Sequence, residues 1–134
     1  MEAIYEINKS QPVVVEFYVN ELSNIDLLTI LSYLDYKDKL LFIEQIRYLK
    51  DYSYMFLVED KELINLLTRL STRELNFATF YFTQIPVCIC GNYDLYFPMF
   101  FMDGNGLSTY KDIAEKCGLH IRDVKIMDAK HEME

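Results

Sequence analysis

The sequence has no tryptophan, and it is poor in proline (3), glycine (4) and cysteine (3) over its 134 residues. An odd cysteine count in a chain of this kind is typical of a reducing compartment and does not predict a disulfide framework. The N-terminus begins MEAIYE and lacks a basic segment followed by an apolar one, so no secretory signal is predicted. Every apolar run is far shorter than the ~20 residues of a membrane-spanning helix. We therefore expect a cytoplasmic protein whose core forms without disulfides or bound metal.

Motifs that carry catalysis are also missing. The sequence contains no P-loop, no glycine-rich dinucleotide motif, no nucleophile elbow and no HExxH pair, and it has only two histidines. We therefore expect no enzymatic activity and no cofactor. The GxG element at Gly104–Gly106 is interpreted as a connection between a strand and a helix. Anion binding at the N-terminus of that helix is the alternative.

Basic residues are outnumbered by acidic ones, 13 against 21, which gives a formal net charge of −8. Nucleic acid and anionic membranes are disfavoured as partners, because their phosphates would be repelled. A basic protein would be attracted. Solubility alone also accounts for such a charge in a small domain.

The first half of the sequence favours helices. Apolar residues recur at helical spacing after Ser23, after Asp35 and after Asp60, and each of these three residues is a good N-cap. Residues 12–19 are rich in β-branched and aromatic side chains and predict a strand, with a helix starting at Ser10 as the alternative. Residues 53–60 fit either the end of a helix or a short strand.

The second half favours a sheet. Residues 77–83 alternate in the way a strand does, and residues 86–90 and 94–101 predict a hairpin joined at 91–93. A loop at 103–106, a helix from Ser108 to Gly118, a last strand at 119–127 and a frayed tail at 128–134 follow. The predicted fold is a single α+β domain over residues 1–134, with N-terminal helices followed by a small antiparallel sheet and one late helix.

Cys88 and Cys90 are two residues apart and would point to the same face of a strand. We interpret them as small buried hydrophobic residues on a core strand. The alternative is a zinc site completed by Cys117 and His120, but the C-x-C spacing is not the usual one for zinc. No metal is therefore predicted.

Tyrosine and aspartate recur together in three stretches, at 33–36, 51–54 and 93–96. Each stretch lies at a predicted element boundary, so exposure is expected. Tyrosine supplies rigid contact area, and carboxylates accept hydrogen bonds from arginine and lysine. An acidic, tyrosine-rich surface that captures a basic protein is predicted, unless the stretches lie on different sides of the molecule. The residues predicted to contact a partner are Asp35, Tyr36, Asp51, Tyr52, Glu59, Asp60, Tyr93, Asp94 and Tyr96.

The pattern YFTQIPVCICGNYDLYFPMFFMDGNG, followed by a short helix and GLHIRDV, resembles bacterial immunity proteins of the contact-dependent growth-inhibition type. This resemblance implies a cytoplasmic protein that binds and neutralises a cognate toxin domain, with a basic nuclease as the expected kind. The resemblance assigns no functional role to any individual residue of this sequence. The alternative is a small regulatory or adaptor domain that associates with itself, by strand addition at the YFPMFF segment.

Overall fold

The computed structural model describes residues 1–49, 54–102 and 104–126, and it confirms an α+β fold with an antiparallel sheet. The predicted tail at 128–134 lies outside the described residues. The strands pair in the order β2-β1-β3-β4-β5, and every neighbouring pair is antiparallel. The described strands are β1 (Val13–Phe17), β2 (Met55–Val58), β3 (Ala78–Phe82), β4 (Val87–Cys90) and β5 (Met99–Phe101). The described α-helices are α1 (Glu2–Asn8), α2 (Asn24–Ser32), α3 (Tyr36–Leu49), α4 (Lys61–Thr72) and α5 (Gly104–Lys116).

Strand alternation places the core on one face of the sheet. Val15 of β1 is paired with Phe56 of β2 and Phe80 of β3, and Phe80 is in turn paired with Ile89 of β4. All four of these side chains are buried, whereas the residues between them face the other way and are more accessible. The buried face contributes to a core shared with residues of α1 to α5.

Helix α4 is central to the helical side because its apolar residues recur at helical spacing, and four of them, Ile64, Leu66, Leu67 and Leu70, are buried. Asp60 begins the helix by accepting a hydrogen bond from the Glu62 backbone N–H at 2.9 Å. The helix ends at Thr72, and Glu74 just beyond it has a φ of +56°. No helix within the described ranges is long and apolar enough to cross a bilayer.

Several predicted elements differ from the observed ones. Helix α1 was not predicted, and the alternative helix from Ser10 is wrong because β1 begins at Val13. Helix α5 begins at Gly104, so the predicted loop at 103–106 is wrong at its described residues 104–106. Residues 119–126 form no strand, which corrects the prediction for the described part of 119–127. The prediction that Gly118 ends the last helix is confirmed, since its φ is +75°.

The close packing of the end of β4 against α4 requires glycine at position 91. Its N–H donates to the Ala78 carbonyl at 2.9 Å, and a Cβ at this position would lie 2.6 Å from Ser71 Oγ. Ser71 is fully buried and its hydroxyl accepts the Ala78 N–H at 3.1 Å, so it has little room to move. The sheet can therefore approach α4 this closely only with glycine at position 91.

Replacing Gly91 with alanine is expected to lower the free energy of unfolding by about 2 kcal/mol, because Ser71 on α4 must move away from the end of β4 to admit the methyl group. Urea denaturation measures the change. The matched control is Gly104→Ala, since a Cβ on Gly104 meets no atom within 4 Å. Equal stability of the Gly91→Ala variant and the wild-type protein would contradict this packing argument.

Candidate functional site

The connection between β4 and β5 is a strained turn that projects from the molecule. Asn92 starts it by accepting the Tyr93 N–H on its side chain at 2.8 Å. Asp94 and Leu95 both adopt positive φ, +60° and +61°, a conformation that costs energy for residues other than glycine. Glu74 Oε1 accepts the Asp94 N–H at 2.8 Å and so holds the turn against the end of α4. Strained backbone of this kind is concentrated at functional sites in proteins.

The strained turn presents its side chains to solvent. Tyr93, Asp94, Leu95 and Tyr96 are all exposed, and Leu95 is 68% accessible although it is a large apolar residue. The Tyr93 ring packs edge-on against Phe77, with ring centroids 4.8 Å apart. The backbone of the turn and the Tyr93 ring are therefore held in place before any partner binds.

A second exposed stretch connects α2 to α3. Asp35 begins α3 by accepting the Asp38 N–H at 2.8 Å, and Tyr33 and Tyr36 on either side of it are exposed. Arg73 Nη1 donates to the Tyr33 carbonyl oxygen at 2.7 Å. This contact holds the connection against the C-terminal end of α4.

Two of the three predicted stretches thus meet at the same end of α4. Arg73 holds the first and Glu74 holds the second, and these two residues are adjacent in the sequence. Both stretches are therefore anchored on neighbouring residues at the C-terminal end of α4. We call this set the Tyr–Asp surface; it consists of Tyr33, Asp35, Tyr36, Tyr93, Asp94, Leu95 and Tyr96.

The Tyr–Asp surface so defined leaves out four of the predicted contact residues. Asp51 and Tyr52 lie outside the described residues. Glu59 and Asp60 lie at the N-terminal end of α4, about 18 Å along the helix axis from its C-terminal end. Their place on a surface shared with the strained turn stays a prediction, and the Asp60 carboxylate serves as the helix cap.

A groove of about 400 Å³ separates the start of α3 from α4. Its walls pair opposite charges across the two helices: Lys37 lies 3.1 Å from Glu62, and Arg69 makes two hydrogen bonds to the buried Asp38. The groove is lined by Tyr33, Asp35, Lys37, Asp38, Glu62, Arg69 and Arg73. These ion pairs hold the start of α3 against α4. They therefore also fix the Tyr33–Tyr36 half of the Tyr–Asp surface.

The cysteines of β4 point away from the core. Val87 and Ile89 are buried, whereas Cys88 and Cys90 are half-buried on the opposite face of the sheet. The interpretation of these cysteines as core residues is therefore wrong. Both faces of β4 are apolar in sequence, so the alternation alone did not identify the buried one.

The Cys88 thiol is an unreactive side chain. Burial and the neighbouring Cys90 raise the pKa of Cys88 to about 11, so its thiol stays protonated at neutral pH and is a poor nucleophile and ligand. Cys117 and His120 are exposed at and beyond the end of α5, and Cys117 lies near the Met1 amino group. In the described ranges, no three or more His, Cys, Asp or Glu residues form a group that could hold a metal ion.

No known protein family, curated protein or solved structure matches the chain. The resemblance to immunity proteins therefore stays a prediction. Leu95 and Tyr33 complete the Tyr–Asp surface but were not among the predicted contact residues. The sequence signal for Leu95 is weak, because the turn residues Gly91 and Asn92 placed the predicted turn at 91–93 and the observed connection runs on to Pro98.

Proposed function

We propose that the protein is a non-catalytic inhibitor that binds a basic partner protein through the Tyr–Asp surface. The kind of partner that fits best is a cognate toxin domain with nuclease activity, and the protein would then act as a cytoplasmic immunity protein. The observation that carries the proposal is the strained turn, which displays Tyr93, Asp94, Leu95 and Tyr96 beside the exposed Tyr33–Tyr36 stretch.

The chemistry of the surface supports a basic partner. Tyrosine is enriched among the residues that dominate binding energy, and two aspartates lie among the tyrosines. The net charge of −8 would steer a cationic protein toward the inhibitor and make the association sensitive to salt. Nuclease domains carry basic surfaces because they bind phosphate, so an acidic surface can block the same groups.

The fixed shape of the surface supports tight binding. A turn that is already ordered by Glu74 and Asn92 loses little conformational entropy when a partner docks. The start of α3 is likewise fixed by the Asp35 cap and the Arg73 contact. Because little free energy is lost in ordering the surface, its contacts can give the high affinity that an inhibitor of a toxic activity needs.

Capture of a partner tests the proposal. Tagged protein is mixed with cytosol from the source cells, together with the polypeptide encoded immediately upstream, at low and at high salt. We expect one basic protein that is released as salt rises and whose nuclease activity falls when this protein is added. Asp94→Lys should weaken its binding by about tenfold or more, because the new charge repels the partner's cations.

The matched control is Asp112→Lys, which makes the same charge change at an exposed position on α5. It should leave capture nearly unchanged. Equal losses in the two variants would assign the effect to net charge and would contradict a role for the strained turn. If no partner were recovered at either salt concentration, the proposed inhibitor function would be contradicted.

A further inference from the structure

The face of the sheet opposite α4 is apolar across its whole width. Residues that are paired in register from one edge strand to the other form a continuous row on this face. Leu57 at one end of the row is 62% exposed and Phe100 at the other end is 63% exposed. The row consists of Leu57, Val14, Tyr81, Cys88 and Phe100. We call this side of the sheet the open face.

An apolar open face is unusual, because the solvated face of an antiparallel sheet normally carries polar side chains. The next row on the open face consists of Met55, Glu16, Thr79 and Cys90, and Glu16 is its one charged member. Exposed apolar patches of this extent mark interaction sites in soluble proteins. The open face is therefore a candidate docking surface composed of residues other than those of the Tyr–Asp surface.

The one charged group in these two rows is Glu16, paired with Met55 and Thr79. The Tyr18 hydroxyl donates a hydrogen bond to the Glu16 carboxylate, and the Tyr18 ring stacks on Tyr54 with centroids 4.6 Å apart. The carboxylates that act electrostatically on this part of the open face are Glu16, which influences Tyr18, Tyr81 and Cys88, and Glu21, which influences Tyr18. Among the described residues of the five strands there is no lysine or arginine.

The single carboxylate on the open face distinguishes between two possible binding partners, a second copy of the chain and a basic segment of another protein. A second copy packed face to face would bury Glu16 from each molecule, and the described strands would supply no cation to pair with either carboxylate. An incoming lysine or arginine would instead form an ion pair with Glu16, and the Tyr18–Tyr54 stack beside it can accept a cation on its ring face. Apolar residues of the same partner segment, on either side of that cation, would cover the two rows of the open face.

We propose that the open face binds an amphipathic segment of a partner protein in which apolar side chains surround a lysine or arginine that pairs with Glu16. The proposal goes beyond the inhibitor function, because it concerns a different surface and holds whether or not a toxin is the partner. Leu57 and Phe100 would anchor the apolar part of the segment at the two edges of the sheet.

A display library of random linear peptides tests the proposal. Peptides are selected on the wild-type protein and depleted on the Phe100→Ser variant, which removes an exposed side chain and is expected to fold. The Leu57→Ser variant gives an independent depletion at the opposite edge. We expect the selected peptides to share apolar residues around at least one lysine or arginine, and to bind Glu16→Gln about tenfold more weakly. Asp94→Lys should not change their affinity, which separates this result from a failure of the inhibitor function.

Other results would overturn the proposal. Selected peptides that lack a basic residue, or that bind Glu16→Gln as well as wild type, would exclude the ion pair. Failure to enrich any peptide over the Phe100→Ser and Leu57→Ser variants would exclude docking on the open face. A dimer in light scattering that dissociates in both serine variants would assign the face to a second copy of the chain.

Discussion

Replacing Arg69 with alanine is expected to lower the free energy of unfolding by about 3 kcal/mol, a loss of roughly 10 °C in melting temperature. Arg69 Nε and Nη2 donate to the two carboxylate oxygens of Asp38, at 2.9 and 2.7 Å. The Asp38 side chain is only 6% exposed, so removal of Arg69 leaves a carboxylate that is buried without its partner. Thermal and urea denaturation of the purified variant measure the loss.

The matched control lies between the same two helices. Lys37 and Glu62 form an ion pair at 3.1 Å, but the Lys37 side chain is 67% exposed, so Lys37→Ala should cost less than about 1 kcal/mol. Similar effects of Arg69→Ala and Lys37→Ala would contradict the distinction between the buried and the exposed pair. Because Asp38 lies in the first turn of α3, Arg69→Ala should also disturb Asp35 and Tyr36 and weaken partner binding.

Replacing Asn8 with alanine should destabilise the protein by about 3 kcal/mol, because several buried polar groups lose their partners together. The fully buried Asn8 accepts the Ile85 N–H at 2.9 Å and donates to Tyr110 Oη and to the Ile4 carbonyl, each at 2.9 Å. Tyr110 completes the network by donating to the Ile85 carbonyl at 2.6 Å. The network joins α1, α5 and the β3–β4 connection, and chemical denaturation reports its loss.

Asn65→Ala is the control for this substitution. Asn65 donates to Glu2 Oε2 at 3.2 Å in an exposed bond, and its loss should change stability by no more than about 0.5 kcal/mol. If Asn8→Ala were as mild as Asn65→Ala, the network would not be a main link between the helices and the sheet.

Local signals in the sequence predicted much of the fold. Ser23 and Asp60 cap their helices as predicted, and Ser23 with Asp26 forms a capping box. The alternation at 77–83 correctly predicted β3. These features depend on residues close together in the chain, so they can be read without knowledge of tertiary contacts.

The features that the sequence did not predict depend on distant residues. Helix α1 is short and is tied to the fold by Asn8, whose partners Ile85 and Tyr110 lie far along the chain. The burial of Ile89 rather than Cys88 depends on which side of the sheet α4 covers, and both residues are apolar. Local periodicity contains neither kind of information.

The candidate site was predicted only in part, because it too depends on contacts between distant residues. The composition of the stretches at 33–36 and 93–96 indicated exposed contact residues, but their convergence depends on Arg73 and Glu74 at the end of α4. Glu59 and Asp60 are an acidic pair without a neighbouring tyrosine, and they lie at the opposite end of that helix. Local composition therefore identified candidate contact residues without showing which of them lie on one surface.

The central claim is that both stretches of the Tyr–Asp surface contact one partner. Calorimetry of the captured partner with wild-type protein, Tyr36→Ala and Tyr96→Ala tests it most directly, because both side chains are exposed and their loss should leave the fold intact. We expect each substitution to weaken binding by about tenfold, which is about 1.4 kcal/mol. Unchanged affinity in either variant would contradict the claim that the two stretches form one interface.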